Sequence, residues 1–317
     1  MTYDPVASII VPSYRGADRL PQLLDSLAAQ NDGTPPFEVI VVVDGVDDGS
    51  VALLEAESRF ALRSIIFPEN RGRVAALNAG FEAARGGVLI RCDDDLVVPS
   101  GYVAAHVEAH TSGGAVGVVG PTRDIHAPSP YARAYGEDAA RKSYAHVLSR
   151  PPSERWRLWA ASCSITKSTW ESIGTYDDRY KGYGWEDVDY GYRLHAAGLP
   201  IKVVEAATAD HHGPARTTRA RSVKAFEAGV ARATFRKLHP EAPIGAPAAG
   251  KGLWGAAVRL TASSLRSSRA VDRGARWVDR ILPLVPTPVG RKLVALAVEG
   301  AGLAGAVRSM DEGGTPR

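Results

Sequence analysis

Cysteine is nearly absent: Cys92 and Cys163 are the only two among 317 residues. That excludes a disulfide scaffold and leaves any zinc site short of thiolates. One disulfide is arithmetically open, but a reducing compartment is the simpler reading, so a cytoplasmic protein is expected. The sequence lacks any uninterrupted apolar run of the ~20 residues that cross a bilayer. Its first residues, MTYDPVASIIVPSYR, have no basic leader and no small-residue cleavage site, so no signal peptide is expected there. There is no GxGxxG at the first strand–helix turn, which counts against a nicotinamide-linked dehydrogenase. Internal repeats are missing too. What remains is ordinary: 45% hydrophobic and 23% charged residues, which rules out collagen and wholesale disorder. The length suffices for one large domain and an appendage.

Charge is unevenly placed. Residues 211–317 carry 18 Lys or Arg against 7 Asp or Glu, whereas residues 1–210 carry 20 against 28. A basic tail suits phosphates, an anionic membrane or simply a solvated helical face. It contains no recognisable nucleic-acid module and few aromatics, so no nucleic-acid partner is expected.

Apolar runs at 7–11, 37–43 and 63–67, with shorter ones at 88–91 and 116–119, read as strands. The second, FEVIVVV, is hydrophobic almost throughout, the pattern of a parallel sheet covered on both faces. Helical spacing follows most of them: Leu20, Leu23, Leu24 and Leu27 behind a candidate N-cap at Asp18, then 51–59, 74–84 and 100–111. Alternating strands and helices predict right-handed crossovers and a doubly wound α/β sheet. Periodicity fades over 121–157, which reads as a long irregular loop. It returns at 162–166 and at 187–197, and the patterned part closes with 201–204.

In open α/β sheets ligands bind beyond the carboxyl ends of the strands. Pro12-Ser13-Tyr14, Asp44-Gly45 and Asp93-Asp94-Asp95 all fall at such ends. Three adjacent carboxylates repel unless a cation or donors compensate. On an extended segment Asp93 and Asp95 would point the same way and suit Mg²⁺ or Mn²⁺. Arg71, Gly72 and Arg73 open the preceding helix and could approach a phosphate. The run 182–189, GYGWEDVD, sets the flat face of Trp185 beside Glu186 and Asp187, a carbohydrate-like surface with a candidate base. His211 and His212 follow the last strand as candidate metal or phosphate contacts.

Together these residues resemble the family 2 glycosyltransferases of the GT-A fold, from about Ser8 to His212. SIIVPSYR is similar to the family's first strand and exit, and VVVDGVDDGS to its second-strand motif. NRGRVAALNAGFEAARGGVLIRCDDD resembles its helix leading into a DxD strand, and YKGYGWEDVDYGYRL its acceptor-side ED motif. The resemblance implies a nucleotide-binding half over 1–120 and an acceptor half over 121–245, with 246–317 as a helical extension. It implies a nucleotide-sugar donor, most often a UDP-sugar, with Mn²⁺ or Mg²⁺ and inversion at the anomeric carbon. Pro12, Tyr14 and Asp44 would line the base and ribose, and Ser13 and Asp94 belong with this donor side. Arg71 or Arg73 would support the base or diphosphate, and Asp93 would lie near the ribose. Asp95 would hold the metal, with His211 or His212 as a further ligand. Asp187 would be the general base, and Trp185 and Glu186 would hold a saccharide, lipid-linked or small-molecule acceptor. Gly45 departs from the usual acidic pair, and ASCS at 161–164 departs from the usual glycine-rich form.

Two other readings fit less well. A nucleotidyltransferase would show a glycine-rich run with a basic residue after the first strand, but Gly16 stands alone. A non-catalytic carbohydrate-binding scaffold on the same fold would not need both Asp95 and Asp187. In the tail, Trp254, Ala257, Val258 and Leu265, and Trp277, Val278, Ile281 and Leu282, mark amphipathic stretches. Residues 293–307 are apolar but broken by Glu299 and three glycines. Packing on the catalytic domain or on a second subunit is the expectation, since Ala and Gly give little insertion energy. Docking at the inner face of an anionic membrane is the alternative.

Overall fold

The structure, a computed structural model, describes residues 4–111, 114–180, 182–265 and 267–311. Its first half runs β1 (Ala7–Ser13), α1 (Leu20–Ala28), β2 (Phe37–Val43), α2 (Ser50–Glu55), β3 (Ala61–Ile66), α3 (Arg73–Ala83), β4 (Val88–Cys92), β5 (Leu96–Val97), α4 (Tyr102–Thr111), β6 (Gly117–Val119) and β7 (Thr122–Asp124). Then come α5 (Glu137–Ser149), β8 (Ser162–Thr166), α6 (Lys167–Ile173), α7 (Glu186–Ala196), β9 (Ile201–Val203), β10 (Ala209–His211), α8 (Thr218–Leu238), α9 (Gly252–Ser264), α10 (Ser268–Ile281) and α11 (Thr287–Asp311).

The chain divides into two compact units. One comprises residues up to Asp124 with Ser143–Asp178 and Asp187–Gly213; the other comprises Ile125–Lys142, Arg179–Glu186 and the chain from Pro214. The first unit holds a seven-stranded sheet in the order β3-β2-β1-β4-β8-β6-β9. β3, β2, β1 and β4 are parallel, and β8 runs antiparallel between β4 and β6. The apolar run of β2 is buried from Glu38 onward, as a sheet covered on both faces requires. Leu20, Leu23, Leu24 and Leu27 of α1 pack into the same core. A smaller sheet, β5-β10-β7, brings the ends of three distant segments together.

Two local expectations are corrected. Asp18 does not cap α1; the N-cap position is Arg19 without a side-chain cap, and the N–H groups of Arg19 and Leu20 bond Gly16 O at 2.9 Å instead. The stretch 121–157 is not irregular, since it contains β7 and the thirteen-residue α5. α5 has no fully buried residue, so no apolar stripe marks it in sequence; Glu137 and Asp138 in its first turn suit the helix dipole.

Polar groups inside the first unit are largely structural. His106 and His110 share the Ser164 hydroxyl at 2.9 Å each, and burial pushes their pKa values down to about 3 and about 4. Both are therefore neutral near pH 7. Cys92 and Cys163 are free and buried, and burial pushes both thiols well up. Neither serves as a nucleophile.

In the second unit, α11 packs along α8 at very short range. A Cβ on Gly229 would fall 2.3 Å from Gly302 O, and one on Gly305 would fall 2.0 Å from Phe226 O. Gly302 and Gly305 therefore line the contact with α8, while a Cβ on Gly300 would fall 2.6 Å from Thr261 Cγ2 of α9. No helix among the described residues is long and apolar enough to cross a membrane. α8, which the sequence reading placed before residue 245, shares this unit with α9, α10 and α11.

Candidate functional site

The site is built at the carboxyl edge where β1, β2 and β4 end side by side. Asp44 leaves β2 almost fully buried and accepts from the backbone N–H groups of Arg71 and Gly72, at 2.6 and 2.9 Å. Its carboxylate thus shapes the loop before α3. A Cβ on Gly45, at φ 96°, would come within 2.5 Å of Asn70 N, so glycine is required beside Asp44. That explains the departure from an acidic pair. The Arg71 guanidinium lies 4.6 Å over the Phe67 ring. Tyr14 leaves β1 half-exposed, with Arg15 over its ring at 5.3 Å.

The three adjacent aspartates are not extended, as the sequence reading had them. The chain turns there, with Leu96 N–H donating to Asp93 O at 3.3 Å, and each carboxylate has its own partners. Asp94 accepts from Ser13 Oγ at 2.6 Å and from both Nε and Nη2 of Arg19, at 2.9 and 2.8 Å. Asp94 and Ser13 therefore fix the exit of β1 against that of β4. Asp93 accepts from Arg91 Nε at 2.9 Å. Burial alone would raise the Asp93 pKa; the Arg91 and Arg73 charges outweigh it and hold the carboxyl below its usual range.

Arg91 is the pivot. It sits in β4, is fully buried, and donates to Asp93 and, through Nη1, to Asp187 Oδ1. Burial opposes its charge, but the Asp187 and Asp93 carboxylates keep it protonated, with a pKa well above the usual guanidinium value. Asp187, at the start of α7, is thereby tied to the exit of β4 from 96 residues away.

Asp95 faces the small sheet. Its Oδ2 lies 3.2 Å from His211 Nε2, and its backbone carbonyl accepts from His212 N–H at 2.8 Å. His211 Nδ1 lies 2.5 Å from Asp124 Oδ1. The register of β10 opposite Leu96 and Asp124 sets this trio. Burial opposes a charged imidazole, but the two carboxylates win and raise its pKa to about 9. A Cβ on Gly213 would fall 1.8 Å from Asp95 Oδ2, so only glycine fits there. Of the two histidines, His211 is the one whose ring meets Asp95.

Asp95 and His211 fit a divalent cation in chemistry, provided the cation displaces the proton that His211 Nε2 shares with Asp95. Asp95 Oδ1 is buried and has no hydrogen-bond partner. Beside it, the outer nitrogen of His211 rests on a carboxylate, the arrangement that orients metal-binding imidazoles. No group of three or more His, Cys, Asp or Glu side chains with metal-holding geometry occurs among the described residues. A cation here would have two protein ligands, with further positions open to diphosphate oxygens and water.

Trp185 and Glu186 fall in the second unit. Glu186 is buried, and Trp185 is half-buried at φ 71°, its ring 5.0 Å from that of Phe235 and 5.7 Å from the Arg232 guanidinium. A positive φ on an indole-bearing residue is uncommon and marks a held conformation. Sequence reasoning did not single out Arg19, Arg91 or Asp124. Arg91 left one signal, a lone charge in the apolar strand VLIRC. Asp124 left none, because it lay in a stretch read as irregular.

A doubly wound sheet with acidic strand exits and a glycine-shaped loop before a helix places the chain among the open α/β folds whose ligands bind beyond the strand ends. The chain belongs to glycosyl transferase family 2, whose profile matches residues 8–166; a profile for the N-terminal domain of galactosyltransferase matches 143–214. Its fold is the GT-A fold. Among relatives, a validoxylamine A glucosyltransferase from Streptomyces hygroscopicus subsp. jinggangensis is 28% identical over 63% of this chain and 53% of its own length. An undecaprenyl-phosphate 4-deoxy-4-formamido-L-arabinose transferase from Pseudomonas paraeruginosa is 35% identical over 40% of this chain and 38% of its own. The chain thus spans about half or less of either relative. Among solved structures, a mannosyltransferase from Pyrobaculum calidifontis in complex with GDP-Man and Mn²⁺ covers 98% of this chain and 88% of its own, at TM-score 0.60 and 19% identity. S. aureus TarS in complex with UDP covers 98% and 92%, at TM-score 0.53 and 15% identity. At such identities these two speak for the fold alone.

Proposed function

We propose that the protein moves a sugar from a nucleoside diphosphate sugar, a UDP-sugar first among donors, to an acceptor hydroxyl with inversion. The observation that carries this reading is buried Arg91, paired at once with Asp93 and Asp187. It sets a carboxylate from α7 against the strand exits where a nucleotide binds in such sheets.

In this reading Tyr14 and Pro12 line the base, and Asp44 holds the loop that presents Arg71 and Arg73 to the donor phosphates. Asp93 faces the ribose. Asp95 and His211 would hold Mn²⁺ or Mg²⁺, which supplies neutralisation of the leaving diphosphate. Asp187 accepts the proton of the attacking hydroxyl, and Arg91 holds it in place while doing so. Trp185 and Glu186 serve the acceptor side, with the indole as a platform for an apolar sugar face. The relatives named for glucosyl transfer and for an undecaprenyl-phosphate substrate support testing saccharide and lipid-linked acceptors alike.

A thermal-shift panel of UDP-, GDP- and dTDP-sugars with Mn²⁺ is the test. Binding to the native state alone stabilises by mass action, about 2.7 kcal/mol at 100 times Kd. One nucleotide class is expected to raise the melting temperature, and only with the metal. A panel in which no nucleotide sugar shifts the melt would sink the proposal.

A further inference from the structure

α10 leaves one face of the second unit uncovered. Val271, Ala275, Val278 and Leu282 recur at helical spacing and are buried. The opposite face carries Arg269, Arg273, Arg276, Trp277 and Arg280 within a sector of about 100° at the helical repeat, and Leu284 follows in the short 3-10 turn Leu282–Leu284. All six are exposed, Trp277 by 57% and Leu284 by 82%. Arg276 pairs with Asp272 at 2.8 Å. Arg269, Arg273 and Arg280 make no ion pair among the described residues. The other acid of the helix faces inward: Asp279 accepts from the backbone N–H groups of Thr218 and Arg219, at 2.7 and 3.0 Å.

We propose that this face lies on an anionic lipid surface, with the arginines on lipid phosphates and Trp277 and Leu284 in the headgroup boundary. A merely solvated basic face has no use for an exposed indole and leucine in its midst. An indole has an apolar body and one polar N–H, which suits the boundary between headgroups and acyl chains. Guanidinium groups match phosphate in fork geometry. Leu284, with Val289 47% exposed shortly after it, adds apolar surface that an apolar phase would cover. Lipid offers one, and a nucleic-acid backbone does not. The helix does not insert across the bilayer; its apolar side is already covered by the unit itself. This inference does not depend on the glycosyl-transfer reading.

Co-sedimentation of the full chain with vesicles of equal parts phosphatidylcholine and phosphatidylglycerol, beside pure phosphatidylcholine vesicles, tests it. Sedimentation is expected with the anionic vesicles only and should weaken with salt. Each cation near such a surface strengthens binding about fivefold, so Arg273→Glu with Arg280→Glu should weaken partition by at least about 25-fold. Trp277→Ala should weaken it as well. The tryptophan emission of the wild type, which sums six indoles, should shift to the blue on the anionic vesicles, and Trp277→Ala should remove that shift. Equal sedimentation with both vesicle types overturns the proposal. So do variants that sediment like wild type, or binding to duplex DNA without binding to vesicles. A dimer that Trp277→Ala dissociates, with no vesicle binding, overturns it in favour of a second copy of the chain.

Discussion

Asp187→Asn is expected to lower turnover by ~10²–10⁴-fold, the usual contribution of a positioned base, while donor binding stays as in wild type. Asparagine keeps the shape of the side chain and still offers Arg91 an acceptor oxygen. It cannot take the proton of an attacking hydroxyl. The loss should therefore fall on kcat, and calorimetry with the donor nucleotide should give an unchanged Kd. Unchanged turnover would remove Asp187 from the role of base. Lost donor binding would instead show that the carboxylate's task is to hold the β4 exit together.

Arg91→Met is expected to be costly in two ways. Asp93 and Asp187 are 15% and 14% exposed, and Arg91 is fully buried between them. Removing the cation leaves two desolvated carboxylates facing each other, a change that typically costs ~3–5 kcal/mol. Denaturant unfolding reads that loss directly. Combining Arg91→Met with Asp187→Asn should cost less than the sum of the two, because one stranded charge is gone. Arg91→Lys keeps the charge but not the two-pronged geometry. It should retain most stability and donor affinity while turnover falls. An Arg91→Met protein as stable and as active as wild type would show that the buried trio matters neither to the fold nor to the reaction.

Much of the fold was legible because buried parallel strands write themselves as unbroken apolar runs, as at β1 and β2. The strand exits were legible for a related reason: Asp44 and Asp93 follow such runs at once, so their place on the sheet edge needs no tertiary information. Partnership was not legible. Nothing in the sequence says that Asp94 answers Arg19, that Arg91 answers Asp187, or that Asp124 stands behind His211. Those pairings arise from crossovers and from the register of the small β5-β10-β7 sheet. α5 was missed because it buries no side chain fully, and the stripe that betrays a helix is the buried one. The glycines of α11 were ambiguous in sequence and acquire a reason only from their neighbours: Gly305 against the α8 backbone at Phe226, Gly300 against Thr261 of α9.

The division of labour between Asp95 and Asp187 is tested most directly by titrating a nucleoside diphosphate into wild type, Asp95→Ala and Asp187→Asn, each with and without Mn²⁺. Tight binding that requires Mn²⁺ in wild type and in Asp187→Asn, and is lost in Asp95→Ala, is the expected result. Metal-dependent binding that survives intact in Asp95→Ala would contradict the account.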